Sequence, residues 1–415
     1  MERQSSKLDG KAERGCGIYG ISTKRRFIME IKFDFSGTPE IFFGAGRFSK
    51  LPDIILKYGK NALIIVSPSF RLSKNHLSNL EKELESRKII FGTIDASGEP
   101  TVDKVDKITN SYNSIPIDVV VAIGGGSVID TGKAVSAMLY KNTSVLNYLE
   151  GIGTKKHSGE KIPFIAVPAT AGTGSEATKN AVLSKDGYKK SLRHQNFIPD
   201  TALIDPELTF SLPTKITAYA GLDCLTQLIE SYVSVKSSVF TDSLAESALK
   251  KFGQNLTEVC FFNPFNIKSR TNLSYAALIS GITLANAGLG IIHGFAGSIG
   301  GLFDIPHGVI CGTLLGKCTK MNTDKILAEN NKEVIIKYSN IYKYLSDRQS
   351  GNERDNCYQL AELLDEWIYQ LGIPTLGHYG IREKDFELIT ERSSIKENPV
   401  QISKDEMKEI LSSRL

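Results

Sequence analysis

The sequence predicts an α/β domain with a parallel sheet, followed by an all-α domain. In the first half, short β-branched runs alternate with amphipathic segments, a pattern typical of strands joined by crossover helices. Long helical patterns fill the second half. The chain has 415 residues, more than one ordinary core holds, so two domains are expected. Because the pattern changes after Pro213, we predict one domain over residues 30–212 and the other over 213–415.

Four apolar runs predict the buried strands of the sheet. They are ALIIV at 62–66, DVVVAI at 118–123, FIAV at 164–167 and ALID at 202–205. Between the first two, apolar side chains recur at helical spacing and predict a helix; they are Val102, Val105, Ile108 and Tyr112. The carboxyl ends of parallel strands share one edge of the sheet, where ligands bind. The loops after these strands are therefore the first candidates for function.

The second half predicts helices that pack on one another. TKITAYAGLDCLTQLIESYVS and DNCYQLAELLDEWIYQLG both have helical spacing, and Gly372 with Pro374 ends the latter. Residues 271–303 contain no Asp, Glu, Lys or Arg, and this uncharged stretch is long enough to span a bilayer. Glycines, Asn286 and His293 interrupt this stretch, so the favoured interpretation is a buried helix or two.

Composition excludes nucleic acid as the main partner, because a net charge of +4 is spread over the chain without a dense basic block. The cysteines form no C-x-x-C pair, which favours a reducing, cytoplasmic location. Residues 1–29 are polar and lack an apolar core, so we predict a disordered tail there and no secretory signal. An organellar targeting peptide over residues 1–28 is the alternative.

A glycine-rich loop follows the second predicted strand. Gly124, Gly125 and Gly126 precede Ser127 and a predicted helix in VVVAIGGGSVIDTGKA. Glycines let backbone N–H groups approach a phosphate, and the N-terminus of the following helix favours the same charge. The loop lacks the G-x-G-x-x-G pattern of dinucleotide-binding folds. The alternative is a tight turn without a ligand.

A second loop of small residues, PATAGTGSEATKN at 168–180, follows the third predicted strand. It offers hydroxyl groups at Thr170, Thr173 and Ser175, which would face the same edge as the glycine loop. Lys133 and Lys189 are candidates for additional positive charge. After the first strand come Ser67, Pro68, Ser69 and Arg71. No acid there would repel a 2′-phosphate, so NADP is permitted beside NAD.

A metal site is one interpretation of four residues in the second half. Asp223 and Gln227 lie one turn apart on a predicted helix, while His293 and His307 belong to the glycine-studded stretch IIHGFAGSIGGLFDIPHG. One carboxylate and two imidazoles suit Zn²⁺ or Fe²⁺ with positions left for substrate. Buried histidines with satisfied rings, and a locally paired Asp223, are the alternative.

The motifs together resemble those of a known family. In order, they are GGGSVIDTGK, PATAGTGSEAT, LIDPELTFSLP, GLDCLTQLIESYVS and HGFAGSIGGLFDIPHG. From about residue 30 to the C-terminus, the chain resembles the iron-containing (group III) alcohol dehydrogenase family of the dehydroquinate synthase-like superfamily. The resemblance implies an N-terminal nucleotide-binding α/β domain with a parallel sheet, an all-α C-terminal metal-binding domain and a homodimer.

The resemblance also implies a site. NAD or NADP would contact Gly124, Gly125, Gly126, Ser127, Thr170, Thr173 and Lys189. One divalent metal, Fe²⁺ or Zn²⁺, would bind the catalytic residues Asp223, His293 and His307, with Gln227 as an optional ligand. The implied reaction is hydride transfer between a nicotinamide and a small alcohol or aldehyde. Alternatives are polyol oxidation, hydroxyacid–oxoacid transhydrogenation on the same fold, or a nucleotide-binding homologue without catalysis.

Two positions depart from the family pattern. The family usually has a further metal-binding histidine where this chain has Gln227. It often has a histidine, a candidate proton-relay group, where this chain has Gly297. We therefore expect a metal site with one imidazole fewer and a different route for the proton.

Overall fold

Six strands form a parallel sheet in the first half of the computed structural model, which describes residues 31–72 and 76–415. In chain order, the eight strands of the described residues are β1 (Glu40–Phe43), β2 (Asn61–Val66), β3 (Ile90–Asp95), β4 (Val119–Gly124), β5 (Phe164–Pro168), β6 (Asn180–Lys185), β7 (Tyr188–Arg193) and β8 (Thr201–Ile204). The sheet order is β1-β8-β5-β4-β2-β3, and β6 pairs with β7 in a separate antiparallel hairpin. The predicted tail, residues 1–29, lies outside the described residues.

The helices cover both faces of this sheet and make up most of the second half. They are α1 (Leu51–Leu56), α2 (Pro68–Leu72), α3 (His76–Ser86), α4 (Val102–Tyr112), α5 (Gly126–Met138), α6 (Thr214–Tyr232), α7 (Val239–Phe252), α8 (Asn255–Thr257), α9 (Ile267–Ala287), α10 (Ile291–Leu302), α11 (His307–Ala328), α12 (Lys332–Leu345), α13 (Glu353–Gln370), α14 (Phe386–Arg392) and α15 (Lys404–Ser412). The predicted fold class, an α/β region followed by a helical region, is confirmed.

The four predicted strands are confirmed as β2, β4, β5 and β8, which occupy the middle of the sheet. Their side chains alternate between two faces, so Leu63 and Val120 pack with α4 and α5 while Ile64 and Val121 pack with α1 and α3. The edge strands β1 and β3 were not predicted. Each is partly exposed and therefore lacks the continuous apolar run of a buried strand.

The predicted helices are also present. The pattern from Val102 to Tyr112 forms α4, and the two long patterns of the second half form α6 and α13. Gly372 follows α13 with φ +62°, a conformation that favours glycine and ends the helix. The sheet ends at β8 and α6 begins directly after Pro213, yet residues 33–415 form one compact unit. The division into two domains therefore stays a prediction.

The uncharged stretch 271–303 forms most of α9 and all of α10, which bend by 98° at a short break. Much of both helices is buried against α6, α7 and α11. Within the described residues, no single helix is long and apolar enough to cross a membrane; the bent pair meets that criterion by length and composition only. The break between these helices places His293 in the first turn of α10, facing α6.

Candidate metal centre and cofactor cleft

Four side chains from three helices bring their donor atoms together. One ligand atom each from Asp223, His293, His307 and Cys311 lies within 4.8 Å of every other. Asp223 Oδ1 is 3.4 Å from His293 Nε2 and 3.5 Å from His307 Nε2. Three of the four residues are buried, and the His307 side chain is 37% exposed. The sequence-predicted residues Asp223, His293 and His307 thus converge, joined by a cysteine that was not predicted.

Helix geometry accounts for this convergence. Asp223, Gln227 and Glu230 on α6 are separated by four and three residues, so they share one face. His307 is the first residue of α11, and Cys311 follows one turn later on the same face. Gly308 lets α11 approach α6, because a Cβ there would lie 2.2 Å from the Tyr219 carbonyl oxygen. Larger residues at 308 would push His307 away from Asp223.

Glu230 fixes the orientation of His293. Its Oε2 accepts a hydrogen bond from His293 Nδ1 at 2.6 Å, and its Oε1 accepts one from the Ile292 backbone at 2.7 Å. The carboxylate is buried at the N-terminus of α10, where the helix dipole favours negative charge. Ligand histidines commonly donate their second ring nitrogen to a carboxylate in this way. Nε2 of His293 is thereby left free to face Asp223.

The cluster is strongly coupled electrostatically. Burial by itself opposes ionisation of Asp223, but the adjacent His307 and His293 lower the pKa of this carboxyl below its usual value. Burial likewise opposes ionisation of the Cys311 thiol, yet the same two imidazoles lower its pKa. Both histidines have a raised pKa despite burial, because the thiolate and the carboxylates favour the charged ring. The site therefore collects anionic donors in a buried position.

The residues fit a divalent metal. Within the described residues, Asp223 Oδ1 is buried and accepts no hydrogen bond, although both imidazole nitrogens lie near it. A buried carboxylate oxygen without a partner is costly unless something else satisfies it. A cation held by Asp223, His293 and His307 would do so, since carboxylate and imidazole are common ligands of Zn²⁺ and Fe²⁺.

Gln227 and Gly297 occupy the positions where the family pattern has histidine. Gln227 is buried on α6 with Oε1 2.9 Å from Ser280 Oγ of α9, and it also lines the cavity beside the cluster. A Cβ at Gly297 would meet no atom within 4 Å. The absence of an imidazole at 297 thus leaves open space on the cavity side of α10. Metal binding by Gln227 stays a prediction.

A cavity of about 310 Å³ joins the cluster to the glycine loop. Of the predicted cofactor residues, Gly126, Ser127, Thr173 and Lys189 line it, and so do His293, His307 and Gln227. Lys189 also forms an ion pair with Glu99 at 2.9 Å. The cavity has the size of a small-ligand site, and one wall offers phosphate-binding groups while another offers metal ligands.

The two loops pack directly on each other. A Cβ on Gly126 would lie 2.6 Å from the Thr173 side chain, so glycine is needed at 126 for this close approach. The first amides of α5, which starts at Gly126, lack acceptors within the helix and point to the edge where Thr173 lies. Thr170 packs on Gly125 in the same way. Gly124 is a buried residue of β4 and does not line the cavity.

Lys133, a candidate for phosphate charge in the sequence, has a structural position instead. Its side chain is buried on α5, and Nζ lies 2.8–2.9 Å from the carbonyl oxygens of Ser175, Thr178 and Asn180 and from Thr178 Oγ1. Burial lowers the pKa of Lys133 to about 8, although nearby Asp130 opposes the shift. The lysine thus holds the second loop against the helix that begins at the first loop.

The end of β2 carries no acidic side chain. Ser67 and Ser69 hydrogen-bond to each other, and Arg71 pairs with Asp95 at the end of neighbouring β3. Ser67 also lies against the glycine loop, since a Cβ on Gly124 would lie 3.1 Å from its Cβ. The position predicted to discriminate NAD from NADP therefore holds hydroxyl groups and an arginine, with one acid paired to that arginine.

Comparison with known proteins agrees with these observations. A family model described as iron-containing alcohol dehydrogenase matches residues 38–206, and the model of the family's C-terminal region matches residues 217–415. The chain is 31% identical to an NADPH-dependent butanol dehydrogenase of Clostridium saccharobutylicum, over 89% of this chain and 95% of that protein. It is also 31% identical to long-chain-alcohol dehydrogenase 1 of Geobacillus thermodenitrificans, over 84% and 87%.

Among solved structures, an alcohol dehydrogenase from Oenococcus oeni superimposes with a TM-score of 0.83 and 27% identity, covering 92% of this chain and 100% of that one. The family implies a metal and a nicotinamide cofactor, which agrees with the metal-ligand cluster described above. Because the two family models span the whole parallel sheet and nearly all of the helical region, this chain belongs to the iron-containing alcohol dehydrogenase family.

Proposed function

We propose that this protein is a metal-dependent, NAD(P)-linked alcohol dehydrogenase that interconverts a small alcohol and its aldehyde. One observation carries the proposal: Asp223, whose Oδ1 accepts no hydrogen bond within the described residues, and the imidazoles of His293 and His307 lie beside the cavity that the glycine loop also lines. The Clostridium relative is a butanol dehydrogenase and the Geobacillus relative is a long-chain-alcohol dehydrogenase, which supports the same reaction.

Each part of the cleft has a distinct task in this reaction. Asp223, His293 and His307 would hold a divalent ion, and Glu230 keeps the His293 ring in position for it. When bound, the ion supplies Lewis acidity toward the substrate oxygen, and the nicotinamide donates or accepts the hydride. The first amides of α5 and the Thr173 hydroxyl bind the cofactor phosphates. Without an imidazole at 297, the open space beside Gly297 admits water as the proton acceptor.

We further propose that the protein accepts NADPH. Residues 67–69 carry no acid that would repel a 2′-phosphate, and Arg71 follows them on α2. The Clostridium relative is NADPH-dependent, which is consistent with this choice. The dimer expected from the family is also a proposal, and light scattering on the purified protein measures it.

Purified protein tests the proposed reaction. We expect one Zn²⁺ or Fe²⁺ per chain by elemental analysis, and NADPH oxidation with butyraldehyde that a chelator abolishes and the metal restores. The controls are NADH in place of NADPH and a reaction without aldehyde. Protein that resists heat better with NADPH but binds neither metal nor aldehyde would contradict the proposal and favour the non-catalytic homologue.

A specific observation favours a second candidate, a substrate that carries a carboxylate. A cavity of about 570 Å³ shares Lys189, Ser191, His293, Gly297 and Lys396 with the first, and its wall also carries Lys190 and Arg392. Within the described residues, neither Lys190 nor Lys396 has an ion-pair partner. Lys396 is held with φ +49°, an uncommon conformation for a residue with a side chain that is found more often at functional sites.

Lys396→Met is therefore expected to lower kcat/KM for 4-hydroxybutyrate about tenfold while that for 1-butanol changes less than twofold. A tenfold loss corresponds to about 1.4 kcal/mol, the scale of one partly exposed charge interaction. Initial rates with NADP⁺ measure both substrates. The control is Lys155→Met, an exposed lysine that does not line this cavity. Equal losses for the two substrates would contradict a role in recognising the carboxylate.

A further inference from the structure

We propose that Cys311 supplies a fourth, thiolate ligand to the metal, so that the site is an Asp–His–His–Cys site that selects Zn²⁺. The inference rests on the proposed metal-dependent function and extends it to the identity of the ligands and of the ion. It starts from the one member of the cluster that neither the sequence prediction nor the family pattern contains.

Cys311 faces the predicted ligands directly. Its Sγ lies 3.8 Å from His293 Nε2 and 3.7 Å from His307 Nε2, and the side chain is fully buried. His307 and Cys311 stand one turn apart on α11, the spacing that places two ligands on one side of a helix. Of the five cysteines in the described residues, all free thiols, Cys311 is the one that joins this cluster.

Four of the six distances between donors are close to those that a tetrahedral zinc ion requires. In a tetrahedron the edge is about 1.63 times the bond length, so Zn–N and Zn–O bonds near 2.05 Å require edges of about 3.3 Å, and an N–S edge of about 3.6 Å. The Asp223–His293 and Asp223–His307 distances are 3.4 and 3.5 Å. The two Cys311–imidazole distances of 3.8 and 3.7 Å are longer, as the larger sulfur demands.

The thiolate makes up for the imidazole that the family pattern has at position 227. Gln227 is neutral, and Ser280 Oγ lies 2.9 Å from its Oε1. A thiolate is a softer ligand than imidazole and favours Zn²⁺ over Fe²⁺. Sites of this kind already bind Fe²⁺ more weakly than Zn²⁺. Replacing a nitrogen donor by sulfur thus shifts the site toward zinc.

Spectroscopy of the full-length protein tests the ligand directly. The protein is stripped with a chelator and loaded with Co²⁺ or with Zn²⁺. We expect the Co²⁺ form to show a near-ultraviolet thiolate-to-cobalt charge-transfer band, and X-ray absorption of the Zn²⁺ form to show one sulfur at about 2.3 Å. These measurements need no substitution, so they do not depend on whether a variant folds.

Substitution then assigns the sulfur. Cys311→Ser is expected to lose the charge-transfer band and to bind Zn²⁺ at least tenfold more weakly in competition with a chromophoric chelator. The matched control is Cys318→Ser, which changes another buried cysteine of α11, two turns beyond Cys311, and should keep both properties.

Three results would overturn the inference: a Co²⁺ spectrum without the thiolate band, zinc absorption without sulfur, or unchanged zinc affinity in Cys311→Ser. In each of these the protein still binds metal, so the proposed dehydrogenase function survives. Protein that binds neither Zn²⁺ nor Co²⁺ nor Fe²⁺ would overturn the inference and the proposed function together.

Discussion

His307→Ala is expected to lower kcat for NADPH-linked aldehyde reduction by at least about a thousandfold and to leave less than a tenth of the wild-type metal content. His307 is the member of the cluster that is partly exposed to the cavity, so its loss removes a ligand with little loss of packing. A thousandfold loss corresponds to about 4 kcal/mol, within the several kcal/mol that a Lewis-acid metal contributes. Steady-state kinetics and elemental analysis on the same preparation measure both effects.

The matched control for this variant is His378→Ala, because His378 is an exposed histidine outside the cluster. It should keep both activity and metal content. Thermal unfolding of His307→Ala should stay close to that of metal-free wild-type protein, which shows that the fold is intact. A metal-free His307→Ala protein with wild-type kcat would exclude the metal-dependent mechanism.

The middle of the sheet could be predicted from the sequence because a strand that is buried on both faces consists of a continuous apolar run. Val119 to Ile123 is an uninterrupted apolar run, as a strand covered by helices on each side requires. The edge strand β1 has no such run, since half of it is exposed, and its partner residues in β8 lie 161 positions further along the chain. Strand pairing at that distance is a property of the fold and is not visible in a local pattern.

The candidate metal-ligand cluster could be predicted in part. Asp223, His293 and His307 follow from the motifs, but Cys311 and Glu230 were not predicted, and the packing of α6, α10 and α11 brings them to the site. A local signal for Cys311 did exist, because it stands four residues after His307 at the start of a helix. Glu230 likewise stands seven residues after Asp223, on the same face of α6. Spacing of this kind indicates a shared face, and the partner across the helix interface decides whether that face is a site.

The glycine loop has a packing role that the sequence motif does not reveal. Gly126, a predicted cofactor contact, lines the cavity, and the lack of a side chain there is also needed to admit Thr173 from the second loop. The predicted phosphate binding and the observed loop packing would both favour glycine at this position. The sequence cannot separate the two, because the second loop lies about forty-five residues further along the chain.

The interior of this loop pair depends on Lys133, and Lys133→Met is expected to lower the free energy of unfolding by about 3–5 kcal/mol. Methionine fills similar volume but donates no hydrogen bond, so the carbonyl oxygens of Ser175, Thr178 and Asn180 would lose their buried ammonium partner. Each buried acceptor left without a donor costs about 1–3 kcal/mol. This loss is a large part of the 5–15 kcal/mol that is typical of folded proteins. Urea denaturation followed by circular dichroism measures it.

The same variant should also lose cofactor binding, because the loop that Lys133 anchors carries Thr173 on the cavity wall. Wild-type protein should gain thermal stability when NADPH is added, whereas Lys133→Met should gain much less. Lys107→Met, an exposed lysine on α4, serves as the control and should change the free energy of unfolding by less than about 0.5 kcal/mol.

If Lys133→Met is too unstable to purify, Thr178→Val removes one of the four oxygens around Nζ and should cost about 1 kcal/mol. A Lys133→Met protein within 1 kcal/mol of wild type, with undiminished stabilisation by NADPH, would show that the buried ammonium does not hold the cofactor loop.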